Sequence, residues 1–585
     1  MKYRSLHKWT LSDSVHGLVF FAQRLDELLF DYSLDSHKPA ALNPPFLCVE
    51  ALKLIDDIEN NLIEEANLTH VLDELSWAIQ NDKVSKSLLD VVLEHYVLQH
   101  DVPISKKRLR LEVLSKTLDP TRYLKQCHIL LKQAIRENKK KEIDHYSRTL
   151  ITCLINIGVS KTFLYKTTKE FFFFGDEPHI DQIDNFDQFI EKIEPTIHDF
   201  DVYFIASKDI RTIEQSIKAF SIEILDVLPA PLSEYAQSHH FIPSAEETLV
   251  QIRDIQSFDA YSARAMAERR IDTLKDLFTL FFHRNQLQWK PETLMSQCCI
   301  ETPVIVGTTK SSMEKAFDMH PDHASKQLNW MLKNLALKFG GSFDKFNRIV
   351  DLHGICVTNE IPENQLLSLW ISIETLVPSS GKGKVVNIIN SLDPFLRLSY
   401  IRRLINRALA DLLLWNRRVT AKIIKKVPDT NSSKAAIRLL NLLALESNEA
   451  LRSELYSQLK DFHLLRFRLF SLAESLRSPV AVKELLDTHS KKVSWQLRRM
   501  YRTRNLLVHA GRSPTYLATL IENGHDYLDL VLDEVMKHSC GEYQVETFEQ
   551  AFELEKLLQE RFDISLVALK SFDKSNVHIL YQDAV

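Results

Sequence analysis

Apolar residues recur at three- and four-residue spacing over much of the chain, the mark of amphipathic helices. From the start to about 185 this period dominates, as in 49–58 (Val49, Leu52, Ile55, Ile58) and 88–93 (Leu88, Leu89, Val92, Leu93). Breaks fall between Pro39 and Pro45 and at Pro103. The basic stretch 136–142, with Lys139, Lys140 and Lys141, reads as a solvated helix end. Phe171 to Phe174 read as a buried strand or as a helix end packed into a core. Near Phe200 the period changes. Segments 201–206 and 248–252 read as strands, 263–282 as a helix and 303–306 as another short strand. Strands alternating with a helix predict a small α/β or α+β module. Beyond it the helical period returns up to Cys540, and the last forty or so residues add a helix over 548–560 and two short apolar runs. The expected fold is therefore mostly α. It divides into a helical N-terminal region (1–195), a small central α/β module (196–308), a helical bundle (310–540) and a C-terminal extension (541–585).

Composition fits that picture. A chain of 585 residues exceeds the size at which one core stops growing, so several domains are expected. Only 12 glycines and 19 prolines argue against a turn-rich all-β protein and for long helices with short loops. The net charge of −5 excludes a chain that is basic overall, so any nucleic-acid surface must be a local patch. No run of signal-peptide length opens the chain, and no stretch of about 18 apolar residues could span a bilayer. Seven scattered cysteines without a CxxC pair read as reduced thiols, and a cytoplasmic protein is expected.

Most searches for chemistry fail. Ser380-Gly381-Lys382-Gly383-Lys384 lacks the spacing and the hydroxyl residue of a phosphate-binding loop and reads as a basic loop between helices. His320 and His323 lack a second pair at ligand spacing, so no structural zinc site is expected and the metal set is empty. No nucleophile elbow, zinc-protease motif or paired-metal carboxylate cluster occurs.

Segment 491–512 stands apart. It carries Lys491, Lys492, Arg498, Arg499, Arg502, Arg504 and Arg512 without one Asp or Glu. Val493, Leu497, Met500, Tyr501, Leu507 and Val508 recur at helical spacing, Gly511 supplies a C-terminal cap and Pro514 blocks continuation. A helix of about 17–20 residues is expected, apolar on one side and cationic on the other. Asn505 and His509, four apart, project from nearly one face, while Arg504 lies about 140° round from His509. An imidazole can take the 2′-hydroxyl proton of RNA or protonate a leaving oxygen. A guanidinium can hold the scissile phosphate and offset its transition-state charge. One such set is sparse for acid and base together, so a two-fold dimer would make chemical sense. The spacing also occurs at Arg348 and His353, but Asp351 lies inside that copy and no basic cluster surrounds it, so it reads as structural.

The run Tyr501-Arg502-Thr503-Arg504-Asn505-Leu506-Leu507-Val508-His509-Ala510-Gly511 resembles the RNxxxH signature of HEPN domains, especially their Apea-like branch. Upstream, Trp370 followed by Glu374 and Leu376 resembles a helix of the same branch, and the resemblance covers about 325–540. It implies a helical bundle that dimerises around a composite RNA cleft and acts as a metal-independent, cofactor-free endoribonuclease, often on tRNA, in anti-phage, abortive-infection or toxin systems. Arg504 and His509 would be catalytic and Asn505 supporting. Arg499, Arg502 and Arg512 would contact substrate, and Glu374 would play a structural or orienting part. One sub-branch continues H-x-Y, whereas Ala510 and Gly511 follow here, which argues against regulation through a modified tyrosine. Residues 1 to about 310 resemble no known module and are expected to sense a phage-derived trigger or to restrain the nuclease. Two other classes are open: a non-catalytic RNA- or nucleotide-binding module, and a helical adaptor whose basic helix docks on an acidic protein.

Overall fold

The computed structural model of the protein describes residues 1–30, 38–61, 63–97, 102–284, 286–314, 319–338, 341–379, 383–428 and 434–581. Among these lie twenty-three α-helices and five β-strands, a mostly helical fold with one small sheet. None of the helices is long and apolar enough to cross a membrane. The seven cysteines are free, five of them buried, with Cys298 and Cys299 exposed.

The chain forms two compact units, divided differently from the four expected segments. One comprises 154–178 and 184–310. The other gathers 1–153, 179–183 and 311–585, so the N-terminal helices, the bundle and the extension make a single body.

The smaller unit is built on β1 (His198–Ser207), β2 (Ile222–Leu225), β3 (Glu247–Ser257), β4 (Trp289–Gln297) and β5 (Ile300–Val306). Every pairing is antiparallel, in the order β2-β3-β1-β4-β5, so the module is of the α+β kind. Side chains alternate across a strand. Phe200, Val202, Phe204 and Ala206 of β1 thus face Ala263, Ala267, Ile271 and Leu274 of helix Ala260–Thr279. Tyr203 and Ile205 pack on the opposite side with Leu228, Leu232 and Phe241. Asp259 caps that helix by accepting from the amides of Tyr261 and Ser262 at 2.9 and 3.0 Å. Two strands escaped the sequence reading. β2 has only four residues, and β4 carries Lys290, Pro291 and Glu292. Pro291 falls where the β1–β4 register shifts, a place that does not require its missing amide.

In the larger unit, helices Ser342–Thr358, Pro362–Leu376, Lys384–Leu398, Pro479–Ala510, Leu517–Cys540 and Phe548–Ala568 share one apolar core. The last of these belongs to the expected extension. Its Phe548, Ala551 and Phe552 are core residues, and Phe552 meets Phe395 at 4.9 Å between ring centroids. The N-terminal helices are bound in through charge as well as packing. Glu27 of helix His16–Leu29 takes Arg24 and Arg468 as partners in a buried cluster. Burial would raise its carboxyl, but the two arginines prevail and hold it down to about 2.

The close approach of two helices makes one glycine obligatory. A Cβ on Gly17 would lie 2.1 Å from the carbonyl oxygen of Ile135 in helix Pro120–Arg136. Gly17→Ala is expected to reduce unfolding free energy by about 2–3 kcal/mol in denaturant titration. A change within about 0.5 kcal/mol would contradict this packing.

Candidate functional site

Helix Pro479–Ala510 carries the basic stretch and has 32 residues, reaching far beyond the expected start near 491. Ser478 accepts from the Ala481 amide at 3.2 Å, and Pro479 occupies the first turn, where its missing amide is harmless. Gly511 ends the helix in the left-handed region (φ 60°), and its amide donates to the Leu507 carbonyl at 3.2 Å.

The helix is buried along two stripes. Val493, Leu497 and Met500 enter the common core, where the Met500 and Leu369 side chains both approach Gly524. The Tyr501 ring lies 5.7 Å from that of Trp370, so the two sequence motifs pack against each other. Trp370 donates its indole N–H to Glu374 Oε1 at 2.5 Å, and Lys384 Nζ pairs with the other oxygen at 2.9 Å. Glu374 thus holds neighbouring helices in register. Residues 380–382 of the adjoining basic loop lie outside the described residues. His320, outside the bundle core, is exposed and accepts from the Asp322 amide.

A second stripe faces helices Pro44–Glu59 and Ala66–Gln80. Trp495 packs on Trp77 at 5.3 Å, and Lys491 and Lys492 lie over the rings of Trp495 and Trp77. Arg499 is 0 % exposed. It donates to Glu50 Oε1 and Oε2 at 3.1 and 2.9 Å and to Glu74 Oε2 at 2.7 Å. Arg502 is 5 % exposed and donates to Glu50 Oε1 at 2.9 Å. Burial alone would raise the Glu50 carboxyl, yet Arg499 and Arg502 hold it down to about 2. Glu74 moves the other way: burial raises it, the Glu50 charge adds to that, and the pull of Arg499 does not cancel the two. Burial and the charge of Glu50 also raise the Tyr516 hydroxyl beside this cluster.

This arrangement corrects the expected basic face. Arg499 and Arg502 were assigned to substrate, but their guanidiniums are enclosed among carboxylates and cannot reach an RNA phosphate at the surface. Arg498 is half-buried, its guanidinium lowered first by burial and then by the like charge of Arg502. Of the three expected phosphate contacts, only Arg512 stands exposed, just past the helix end. Its charge opposes the burial that raises the Asp57 carboxyl. Missing from the sequence reading were Glu50 and Glu74. The spacing of Trp495, Arg499 and Arg502, four and three apart, was the available signal of a second buried stripe.

The last two turns differ. Arg504 and Asn505 are partly exposed and His509 is exposed. Arg504 Nη1 donates to Asn505 Oδ1 at 3.1 Å, and His509 follows Asn505 by one turn with no hydrogen bond to a described residue. Thus Arg504 and Asn505 are in contact, and His509 lies one turn after Asn505 on the helix. The helix also borders a cavity of about 390 Å³ with Trp77, Tyr400, Asn43, Gln496 and Asn523 in its wall. Arg504, Asn505 and His509 do not line it. They occupy open surface, which suits a macromolecular substrate better than an enclosed small molecule.

Comparison of the chain with protein-family models, with curated proteins and with solved structures finds no match in any of the three.

Proposed function

We propose that the chain is a metal-independent endoribonuclease of the HEPN kind, acting through Arg504, Asn505 and His509. The observation that carries this reading is the exposed end of helix Pro479–Ala510. There a guanidinium already bonded to a carboxamide stands one turn from an accessible imidazole. The packing of Trp370 on Tyr501 supports it, since both resembling segments then belong to one helical bundle.

In the reaction proposed, the imidazole of His509 takes the proton of a ribose 2′-hydroxyl. The freed oxygen attacks the adjacent phosphorus and the bond to the 5′-oxygen breaks. That leaving oxygen takes a proton from the corresponding side chain, in its imidazolium form, of a second copy of the chain. Arg504 neutralises the charge gathering on the phosphoryl oxygens, and Asn505 keeps the guanidinium aimed. The products are a 2′,3′-cyclic phosphate and a 5′-hydroxyl. No step uses a metal ion. A homodimer, a cellular RNA such as tRNA and a role in defence or toxicity belong to the same proposal.

The experiment is expression of the chain in bacteria with RNA ends mapped, followed by cleavage of the identified RNA by purified protein in EDTA. Cyclic-phosphate ends and undiminished cleavage in the chelator are expected. Intact RNA in the cells, or cleavage that needs an added divalent ion, would overturn the reading.

A further inference from the structure

Three further side chains converge within the helical bundle. His353 lies on helix Ser342–Thr358, and His525 and Asp529 lie on helix Leu517–Cys540, one turn apart. The Nε2 atoms of His353 and His525 are 3.0 Å apart. His353 Nε2 is 3.1 Å from Asp529 Oδ1, and His525 Nε2 is 3.3 Å from Asp529 Oδ2. His353 is the histidine of the spacing copy that read as structural.

With Asp529 ionised, the two Nε2 atoms carry too few hydrogens to give each of the three contacts its own hydrogen bond. A neutral imidazole nitrogen either carries one hydrogen, directed along one line, or offers one lone pair. If both Nε2 atoms donate to Asp529, two N–H groups face each other across 3.0 Å. If one histidine donates to the other, the accepting ring sets its lone pair against the carboxylate. A cation at the common focus satisfies all three contacts, because three lone pairs then point at it. Separations of 3.0–3.3 Å between the donor atoms suit ligands about 2.0–2.2 Å from one shared ion, and three protein ligands leave a coordination position for water or another ligand. Exposure agrees with that opening: the His525 side chain is 6 % exposed, but those of His353 and Asp529 are 30 % and 27 %.

We propose that His353, His525 and Asp529 bind one divalent transition-metal ion of the zinc class. Two imidazoles and one carboxylate suit zinc, cobalt or iron(II), whereas magnesium and calcium prefer oxygen ligands. Ligands four apart on one helix, with the third from a neighbouring helix, tie the two helices together through the ion. The proposed RNA chemistry takes no step from this ion. A second group, His198 with Cys298 and Cys299 in the smaller unit, has adjacent cysteines that are both exposed. It serves as the control.

The test uses the full chain, stripped with a chelator, exchanged into metal-free buffer and titrated with zinc chloride. One equivalent is expected to remain after gel filtration and to raise Tm by about 2 °C or more. Cobalt(II) is expected to give visible absorption bands at the same stoichiometry. Asp529→Asn, which keeps the side-chain shape, and His353→Ala are each expected to weaken zinc binding at least about 100-fold and to abolish those bands. The Cys298→Ser/Cys299→Ser double variant is expected to keep both. Circular dichroism checks that each variant is folded. Three results would overturn the proposal: no retained zinc, retention unchanged in folded Asp529→Asn, or loss of zinc in the cysteine variant. A magnesium titration giving the same Tm rise would refute the metal class.

Discussion

His509→Ala is expected to abolish RNA cleavage, lowering the rate by about 10²–10⁴-fold, the range for a positioned proton-transfer group. The same variant should leave stability within about 0.5 kcal/mol, because His509 is exposed and forms no hydrogen bond to a described residue. These two results belong together. A lost activity with an unchanged denaturation curve separates chemistry from folding, which a buried residue would not allow. Arg504→Ala should cost about 10²–10³-fold, as for other donors that stabilise developing charge. Arg504→Lys should restore little of it, since an ammonium keeps the charge without the two-pronged geometry. The measurement is initial cleavage rate on one end-labelled RNA beside an unfolding titration of the same preparation. Full-speed cleavage by His509→Ala would end the nuclease proposal.

The second large effect concerns stability. Arg499→Ala is expected to lower unfolding free energy by about 3–5 kcal/mol, because Glu50 and Glu74 would stay buried without their shared guanidinium. Replacing Arg499 and Glu74 together, by Arg499→Met and Glu74→Gln, should recover much of that loss, since Glu50 keeps Arg502 as its partner and no unpaired charge remains. The pH dependence provides a sign test. In the parent, Glu50 has its carboxyl held at about 2, so its contribution is present above the ordinary carboxylate range and fades as pH falls from about 4.5 toward about 2. Glu74, raised in the fold, runs oppositely and partly offsets that fall: its contribution is present at low pH and is lost as pH rises through its folded value. Without Arg499 the Glu74 carboxyl loses the charge that opposes its rise, so lowering the pH from 7 to 5 should stabilise the variant more than the parent, whose Glu50 term stays intact down to about pH 4.5. Urea titrations at pH 7 and pH 5 on both proteins read the difference. A destabilisation under about 1 kcal/mol together with lost cleavage would return Arg499 to the substrate.

What the sequence made legible follows the range of the interactions involved. The end of the site helix depends on neighbours within a few residues, and Gly511 with Pro514 marked it. The central strands 201–206 and 248–252 were visible because both faces are buried and their apolar runs are nearly continuous. β4 was hidden by Lys290, Pro291 and Glu292 at an irregular stretch of pairing. The error over Arg499 and Arg502 has a different origin. A run of cations without local acids looks solvent-facing when its counter-charges lie more than 400 positions earlier in the chain. The same distance hid the union of the N-terminal helices with the bundle. The histidine at 353 was set aside because its surroundings were judged from its own helix, while His525 and Asp529 come from another.

The long reach between Glu50 and Arg499 also orders events in time. Synthesis runs from the N-terminus, so the acceptor carboxylates leave the ribosome long before the arginine that they enclose, 449 positions later. Until then burial of the two carboxylates is electrostatically opposed. Helix Pro479–Ala510 can therefore meet these carboxylates only after position 499 has been made. A chain interrupted before that point carries the two carboxylates without the arginine that they enclose.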